Sequence, residues 1–110
     1  MEPTMITELH DFTAEFVEKG SYHLLRGEYA YGGTAIMAKD AETGDPAFAV
    51  SVYLDGLVPG DEHTFWAKTW SENSGIVEEL VERGIIRLTG FEMPTGFAIT
   101  QEAVICEEYR

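Results

Sequence analysis

The residue types best suited to metal binding are three histidines and one cysteine. His10, His23, His63 and Cys106 lie far apart in the sequence, and none stands at a ligand spacing such as C-x-x-C or H-x-x-x-H. The cysteine falls in a strand-like run rather than at a helix N-terminus, and no G-x-S-x-G motif is present. We therefore expect no metal site, no cofactor and no catalytic nucleophile.

Carboxylates are the other groups that could carry chemistry. The chain has 20 Asp and Glu residues, which supply many pairs for general acid–base catalysis. This abundance makes the signal nonspecific, because sequence alone cannot say which pair shares a pocket. We expect a protein that is not an enzyme, and a hydrolase using two converging carboxylates is the third functional class after the two described below.

The distribution of the acids is more informative than their number. One group lies on or beside the predicted helix, where residues four apart have Cβ atoms about 5–6 Å from each other. A second group lies in a predicted hairpin loop. If they converge, they would present rows of carboxylates as a DNA duplex presents phosphates, with one charge per about 1.7 Å of axis. The candidate partner-binding residues are Glu72, Glu78, Glu79 and Glu82 in the first group and Asp40, Glu42 and Asp45 in the second.

The overall charge narrows the class of partner. Seven Lys and Arg residues leave a net charge of −13, which disfavours direct binding to nucleic acid or to an anionic membrane, since both require clustered basic residues. A basic partner, such as a DNA-binding protein, fits this charge. The alternative is an acidic surface that serves solubility alone, as in a halophile.

Length and composition indicate one domain spanning residues 1–110. Hydrophobic residues make up 45% of the chain and aromatics 12%, enough for a real core. A single cysteine favours a reducing compartment, the cytoplasm of a bacterial host cell. The N-terminus has no signal-peptide pattern, and no apolar stretch approaches the ~20 residues of a membrane span, so we expect neither secretion nor anchoring.

Short alternating runs separated by turn residues predict a β-rich chain. The best hairpin joins residues 34–39 to 47–54 through a loop containing Gly44, Asp45 and Pro46, and it places Val50, Val52 and Leu54 on one face. Alternation also predicts a strand over 12–18, ended by residues 19–21, whereas 22–31 stays unassigned and is followed by a Gly32–Gly33 turn. The other predicted strands cover 63–70, 86–88, 97–100 and 103–106, with residues 93–96 dividing the last part of the chain.

One principal α-helix is predicted over about 74–83. Its apolar stripe is Ile76, Val77, Leu80 and Val81, and Gly84 suits the left-handed position after the last turn. Ser71, Asn73 or Ser74 is the expected N-cap. The fold class is therefore α+β, a mostly antiparallel β-sheet with one principal helix packed on one face.

Several turn and cap segments resemble those of the domain of unknown function 4313 family, small proteins carried by phages, plasmids and conjugative elements. The resemblance rests on residues 31–36, 43–47, 50–52, 70–76 and 95–97 together with Gly84, and it covers about residues 12–105. It implies an accessory protein of a mobile genetic element. Small acidic proteins of such elements are often similar to anti-CRISPR or anti-restriction inhibitors that occupy the DNA channel of a nuclease.

Charge and resemblance together predict an anti-defence inhibitor of anti-CRISPR type. It would bind a host DNA-binding nuclease or CRISPR effector complex through an acidic, DNA-mimicking surface and block DNA access without catalysis. The alternative is a structural or adaptor protein of a mobile element, which self-associates, for example as a homodimer, through an apolar surface around Trp66 or Trp70. The sequence leaves open the partner, the defence system, the oligomeric state and the acidic face used.

Overall fold

The computed structural model describes residues 3–110. Within this range seven strands form two antiparallel sheets, and one short α-helix connects the fifth strand to the sixth, so the predicted α+β class is confirmed. The elements are β1 (Thr4–Ala14), β2 (Val17–Glu28), β3 (Thr34–Asp40), β4 (Pro46–Ala49), β5 (Thr64–Ala67), α1 (Ile76–Glu82), β6 (Ile86–Thr95) and β7 (Ala98–Ile105).

The first sheet has the strand order β1-β2-β3-β4 and begins with a long hairpin. The strand predicted over 12–18 is wrong, because the chain reverses at Glu15–Phe16 and Ala14 pairs with Val17. The apolar alternation runs straight through this two-residue turn, so its period does not reveal the reversal. Phe12 is buried whereas Phe16 is 66% exposed. Residues 19–21, predicted to end a strand, lie inside β2, and the unassigned stretch from Tyr22 mostly continues it.

The predicted hairpin of β3 and β4 is confirmed, with a shorter second strand than the sequence indicates. Its expected alternation is only partly right, since Ser51 is buried together with Val50. The Ser51 hydroxyl accepts a hydrogen bond from the Ile36 N–H at 2.8 Å and lies 2.6 Å from the Tyr29 hydroxyl. These bonds satisfy a polar side chain in the core, which a hydrophobicity pattern cannot anticipate.

The second sheet has the order β5-β7-β6. The three short strands predicted after residue 85 are in fact two long ones, because Met93, Pro94 and Thr95 extend β6 and the turn is confined to Gly96 and Phe97. An irregularity between Leu88 and Glu92 interrupts the pairing of β6. Pro94 is tolerated in β6 because this is an edge strand, and a backbone N–H on its open side has no partner strand to bond.

The helix begins later than predicted. It spans Ile76–Glu82 rather than 74–83, and a separate 3₁₀ turn covers Ser71–Asn73. The predicted serine or asparagine cap is wrong: the N-cap is Gly75, with φ of 87°, and among the described residues no side chain gives a cap hydrogen bond. The C-terminal prediction is confirmed, since Gly84 has φ of 74° and its N–H bonds the Val81 carbonyl.

A single core lies between the sheets and the helix. It contains Leu9, Phe12 and Leu24 from the first sheet, Phe65 and Ile105 from the second, and the helix residues Ile76, Val77 and Leu80. The sheets are joined by a bridge between Ser51 and Ala67. In the described part of the chain, no helix has the length and apolar character needed to cross a membrane.

Candidate functional site

The helix lies along the second half of β1, and this placement positions its acids. At its start, a Cβ on Gly75 would lie 3.7 Å from Ala14 Cβ and 3.8 Å from Glu15 N. After its last turn, the Arg83 guanidinium donates to the carbonyls of His10 and Asp11, at 2.8 and 3.2 Å. The N-terminal end of the helix therefore meets the β1–β2 turn.

Glu79, predicted to bind a partner, takes part in this helix–strand contact. Its carboxylate lies 3.1 Å from Arg83 Nε, and the same guanidinium lies 5.2 Å from the centroid of the Phe12 ring. The carbonyls that Arg83 holds flank an unusual backbone position, since Asp11 has φ of 50°. Glu79 thus orients the arginine that holds α1 against an irregular segment of an edge strand.

Glu72 is also neutralised within the chain. Its carboxylate accepts a hydrogen bond from Lys68 Nζ, and this bond is the main reason why the pKa of Glu72 is lowered. The neighbouring Asn73 is 2% exposed and donates from Nδ2 to the carbonyls of Ala49 and Lys68. Asn73 therefore anchors the 3₁₀ turn beside β4 instead of capping the helix.

Glu78 and Glu82 are the two helix acids that remain available. Both are exposed, and neither has a salt-bridge partner within residues 3–110. They are four residues apart on a helix, so their carboxylates lie on the same side of it. Of the four acids predicted around the helix, these two can present uncompensated charge to a partner.

The second predicted group lies in the β3–β4 loop, where Asp40 has a structural role. Its Oδ1 accepts hydrogen bonds from the backbone N–H groups of Glu42 and Thr43, at 2.8 and 3.1 Å. These bonds close the loop and leave the side chains of Glu42 and Asp45 exposed. The oxygen that Asp40 commits to the loop is not free for acid–base chemistry.

A groove of about 360 Å³ separates this loop from the β1–β2 turn. Its lining combines carboxylates with apolar and aromatic surface, and its charged members are Glu18, Asp40 and Asp45. Tyr22 lies in the groove and donates its hydroxyl to the Glu18 carbonyl. Burial, followed by the charges of Asp40 and Glu18, raises the pKa of Tyr22 above 10.0, so its phenol stays neutral near neutral pH.

The β1–β2 turn therefore connects the two predicted groups of acids. Glu15 lies where the turn meets the helix N-terminus, and Glu18 lies where it meets the loop groove. Sequence reasoning missed both residues because they were assigned to one continuous strand. The alternation of Phe12, Ala14 and Phe16 continues through the turn, so the local pattern held no signal for it. We call the whole surface the acidic end; its carboxylates are Glu15, Glu18, Asp40, Glu42, Asp45, Glu72, Glu78, Glu79 and Glu82.

The histidines lie apart from the acidic end. His10 and His23 flank Glu8, with Nε2 atoms 3.3 and 3.6 Å from its carboxylate, and His63 contacts Arg26 at 3.1 Å. Within residues 3–110 no group of three or more His, Cys, Asp or Glu side chains has an arrangement that could hold a metal ion.

Of the two tryptophans predicted for docking, Trp66 is buried and Trp70 is half-buried. Trp66 is 6% exposed, and its Nε1 donates to the Leu57 carbonyl at 2.6 Å. Lys68 Nζ lies 5.9 Å from the centre of the Trp70 ring. The exposed apolar groups near Trp66 are Leu57, Val58 and Phe91, which line a shallow groove of about 350 Å³.

No known family model, curated protein or solved structure matches this chain. Its function must therefore be inferred from the geometry described above.

Proposed function

We propose that this protein is a non-catalytic inhibitor that inserts its acidic end into the positively lined cleft of a DNA-binding protein. The observation that supports this proposal best is the position of the β1–β2 turn. This turn carries Glu15 and Glu18 and lies between two groups of acids from separate parts of the sequence, the helix acids and the loop acids. Such a surface competes with the phosphates of DNA for the same basic residues.

The partner we propose is a nuclease or surveillance complex of a bacterial defence system, and the mode of action is that of an anti-CRISPR protein. This identity rests on the family resemblance and on the charge of −13. Complementary charge accelerates association and makes it sensitive to salt. The protein would prevent access of DNA without altering the partner chemically.

The groove beside Tyr22 suggests how a basic side chain would be held. A partner arginine or lysine entering it would meet the carboxylates of Glu18 and Asp45, while its aliphatic stem would lie against Phe16 and Pro46. Phe16 is 66% exposed and can also stack on a guanidinium. This combination favours arginine, whose planar group bonds carboxylates in pairs and packs on aromatic rings.

The proposal is tested with the purified protein as bait in bacterial lysate, at low and high salt. We expect it to capture at low salt a complex that itself binds duplex DNA, and we expect both high salt and added duplex to displace that complex. Capture of a partner that has no affinity for DNA, or capture unaffected by duplex, would contradict the proposal.

Two double variants, each lacking two carboxylates, test which surface binds the partner. Glu18→Gln with Asp45→Asn removes two carboxylates from the acidic end, whereas Glu107→Gln with Glu108→Gln removes two exposed carboxylates at the C-terminus. We expect the first pair to weaken capture about tenfold or more and the second to have little effect, since charges facing the partner matter most. If both pairs weakened capture equally, the binding would depend on net charge alone and not on the acidic end.

The adaptor function remains the second candidate, favoured by the apolar groove of Leu57, Val58 and Phe91. Association through this surface would be insensitive to salt and to duplex DNA. The substitution Phe91→Ser would abolish it and would leave capture through the acidic end unchanged.

A further inference from the structure

The face of the first sheet that points away from the core carries an apolar row across all four strands. The register aligns Met5 of β1 with Leu25, then with Met37 and finally with Ala49 of β4. Met5 and Met37 are 53% and 38% exposed, so the row is open to solvent. We call this surface the outer face; the core residues Leu24 and Ile36 point to the opposite side.

A second row on the outer face carries charge of both signs. Glu8 on β1 aligns with His23 on β2, which aligns with Lys39 on β3. Within residues 3–110 Lys39 has no salt-bridge partner, although the chain has 20 acids. Strand alternation also places Lys19 on this side, so the outer face carries two lysines beside Glu8.

We propose that the outer face binds a second copy of this chain in a two-fold symmetric dimer whose axis runs along β2. That rotation brings β1 of one copy over β3 of the other. It places Glu8 opposite Lys39 of the other copy, Met5 opposite Met37, and Leu25 opposite itself. Over β1, β2 and β3 both rows are therefore self-complementary, as an isologous interface requires, whereas Ala49 of β4 lies outside the overlap.

Charge also distinguishes a second copy from other occupants. Two chains of net charge −13 repel each other, so they can associate only where carboxylates are scarce, and the outer face meets this condition. A basic partner would instead favour the acidic end, on other faces of the molecule. The dimer goes beyond the proposed function and does not depend on it, since its contacts share no residue with the acidic end.

The expected dimer is modest in size. Only β1, β2 and β3 overlap about this axis, so three strands about 4.8 Å apart with a paired length of about 24 Å give a face near 350 Å², or roughly 700 Å² for both partners. This area is below that of most specific interfaces, so weak association, on the order of 100 µM, is expected. Aligned sheets pack about 10 Å apart with strands within about 30° of each other, which is compatible with the axis proposed here.

Charge reversal tests the symmetry directly by analytical ultracentrifugation over a concentration series. Glu8→Lys and Lys39→Glu each place like charges in contact twice per dimer, and each should weaken dimerisation about tenfold or more. The double variant restores both pairs in reversed sense and leaves the net charge unchanged, so it should dimerise like the original chain. Arg87→Glu, on exposed β6 of the other sheet, changes net charge as Lys39→Glu does and is the matched control.

Rescue by the double variant, with little effect of Arg87→Glu, would support the proposal. A chain that stays monomeric up to about 1 mM would overturn it, because even the weak association expected for this area would be detected at that concentration. Dimerisation unaffected by the single reversals, or not restored by the double, would also overturn it. Circular dichroism of each variant confirms that the fold is retained.

Cross-linking gives a second test that does not depend on charge. Leu25 lies on the proposed axis, so a cysteine there would face its own copy. Because facing sheets lie about 10 Å apart and a disulfide needs Cα atoms within about 7 Å, a short bismaleimide is used in a Cys106→Ser background. Leu25→Cys should give a covalent dimer and Leu88→Cys, on the second sheet, should not. Equal cross-linking of both would contradict the proposal.

Discussion

The contact between Arg83 and β1 predicts a large loss of stability when the guanidinium is removed. In Arg83→Met the side chain keeps its apolar stem but loses its bonds to the carbonyls of His10 and Asp11, its pair with Glu79 and its position near Phe12. All four contacts lie where the helix meets the edge strand. The variant therefore measures how strongly one cation holds these two elements together.

The expected loss of stability in Arg83→Met follows from how exposed each lost contact is. His10 and Asp11 are exposed, so their carbonyls regain water, and each lost hydrogen bond should cost about 1 kcal/mol, at the low end for a charged donor. The pair with Glu79 adds about 0.3–0.5 kcal/mol and the contact near the Phe12 ring about 0.5–1 kcal/mol. We expect a total near 3 kcal/mol, which lowers Tm by about 12 °C for a domain of this size.

Urea and thermal unfolding measure this loss, with two variants as references. Arg87→Met removes an exposed arginine that has no hydrogen-bond or salt-bridge partner among residues 3–110, so it should change stability by less than about 0.5 kcal/mol. Glu79→Gln removes only the ion pair and should cost no more than about 0.5 kcal/mol. If Arg83→Met lowers the free energy of unfolding by no more than Arg87→Met does, the assignment of Arg83 and Glu79 to a structural contact is wrong.

Three further predictions concern the other polar contacts. Asn73→Ala should lower the free energy of unfolding measured in urea by about 2 kcal/mol, because a buried side chain loses its two hydrogen bonds to backbone carbonyls, whereas Ser74→Ala, which removes no cap, should be nearly neutral. Asp40→Ala should cost about 1 kcal/mol through its two loop bonds, and a loss of equal size in Asp45→Ala would refute this role. The neutral phenol of Tyr22 contributes stability that is present below its unfolded pKa of 10.0 and lost as pH rises through its raised folded pKa. The free energy of unfolding should therefore fall less steeply above about pH 10 in Tyr22→Phe, and an unchanged slope would contradict this.

Local patterns predicted much of the fold. The glycine that ends the helix and the hairpin of β3 and β4 were correct, since each depends on the conformational preferences of neighbouring residues. The apolar stripe of the helix was correct for Ile76, Val77 and Leu80, whereas Val81 is exposed. The errors have one kind of cause. A two-residue turn at Glu15–Phe16 does not interrupt the alternation, and Asn73 bonds carbonyls outside its own turn, so neither could be derived from local propensity.

The sequence by itself determined the large negative charge, the single core and the residue types available for binding, because these depend only on composition and local pattern. Only the tertiary structure decided what each carboxylate does. Glu72 and Glu79 face cations, Asp40 closes its own loop, and the turn that carries Glu15 and Glu18 lies between the helix and the β3–β4 loop. The physical reason is that Coulomb energy depends on the distance between charges, and folding sets that distance for residues far apart in the chain.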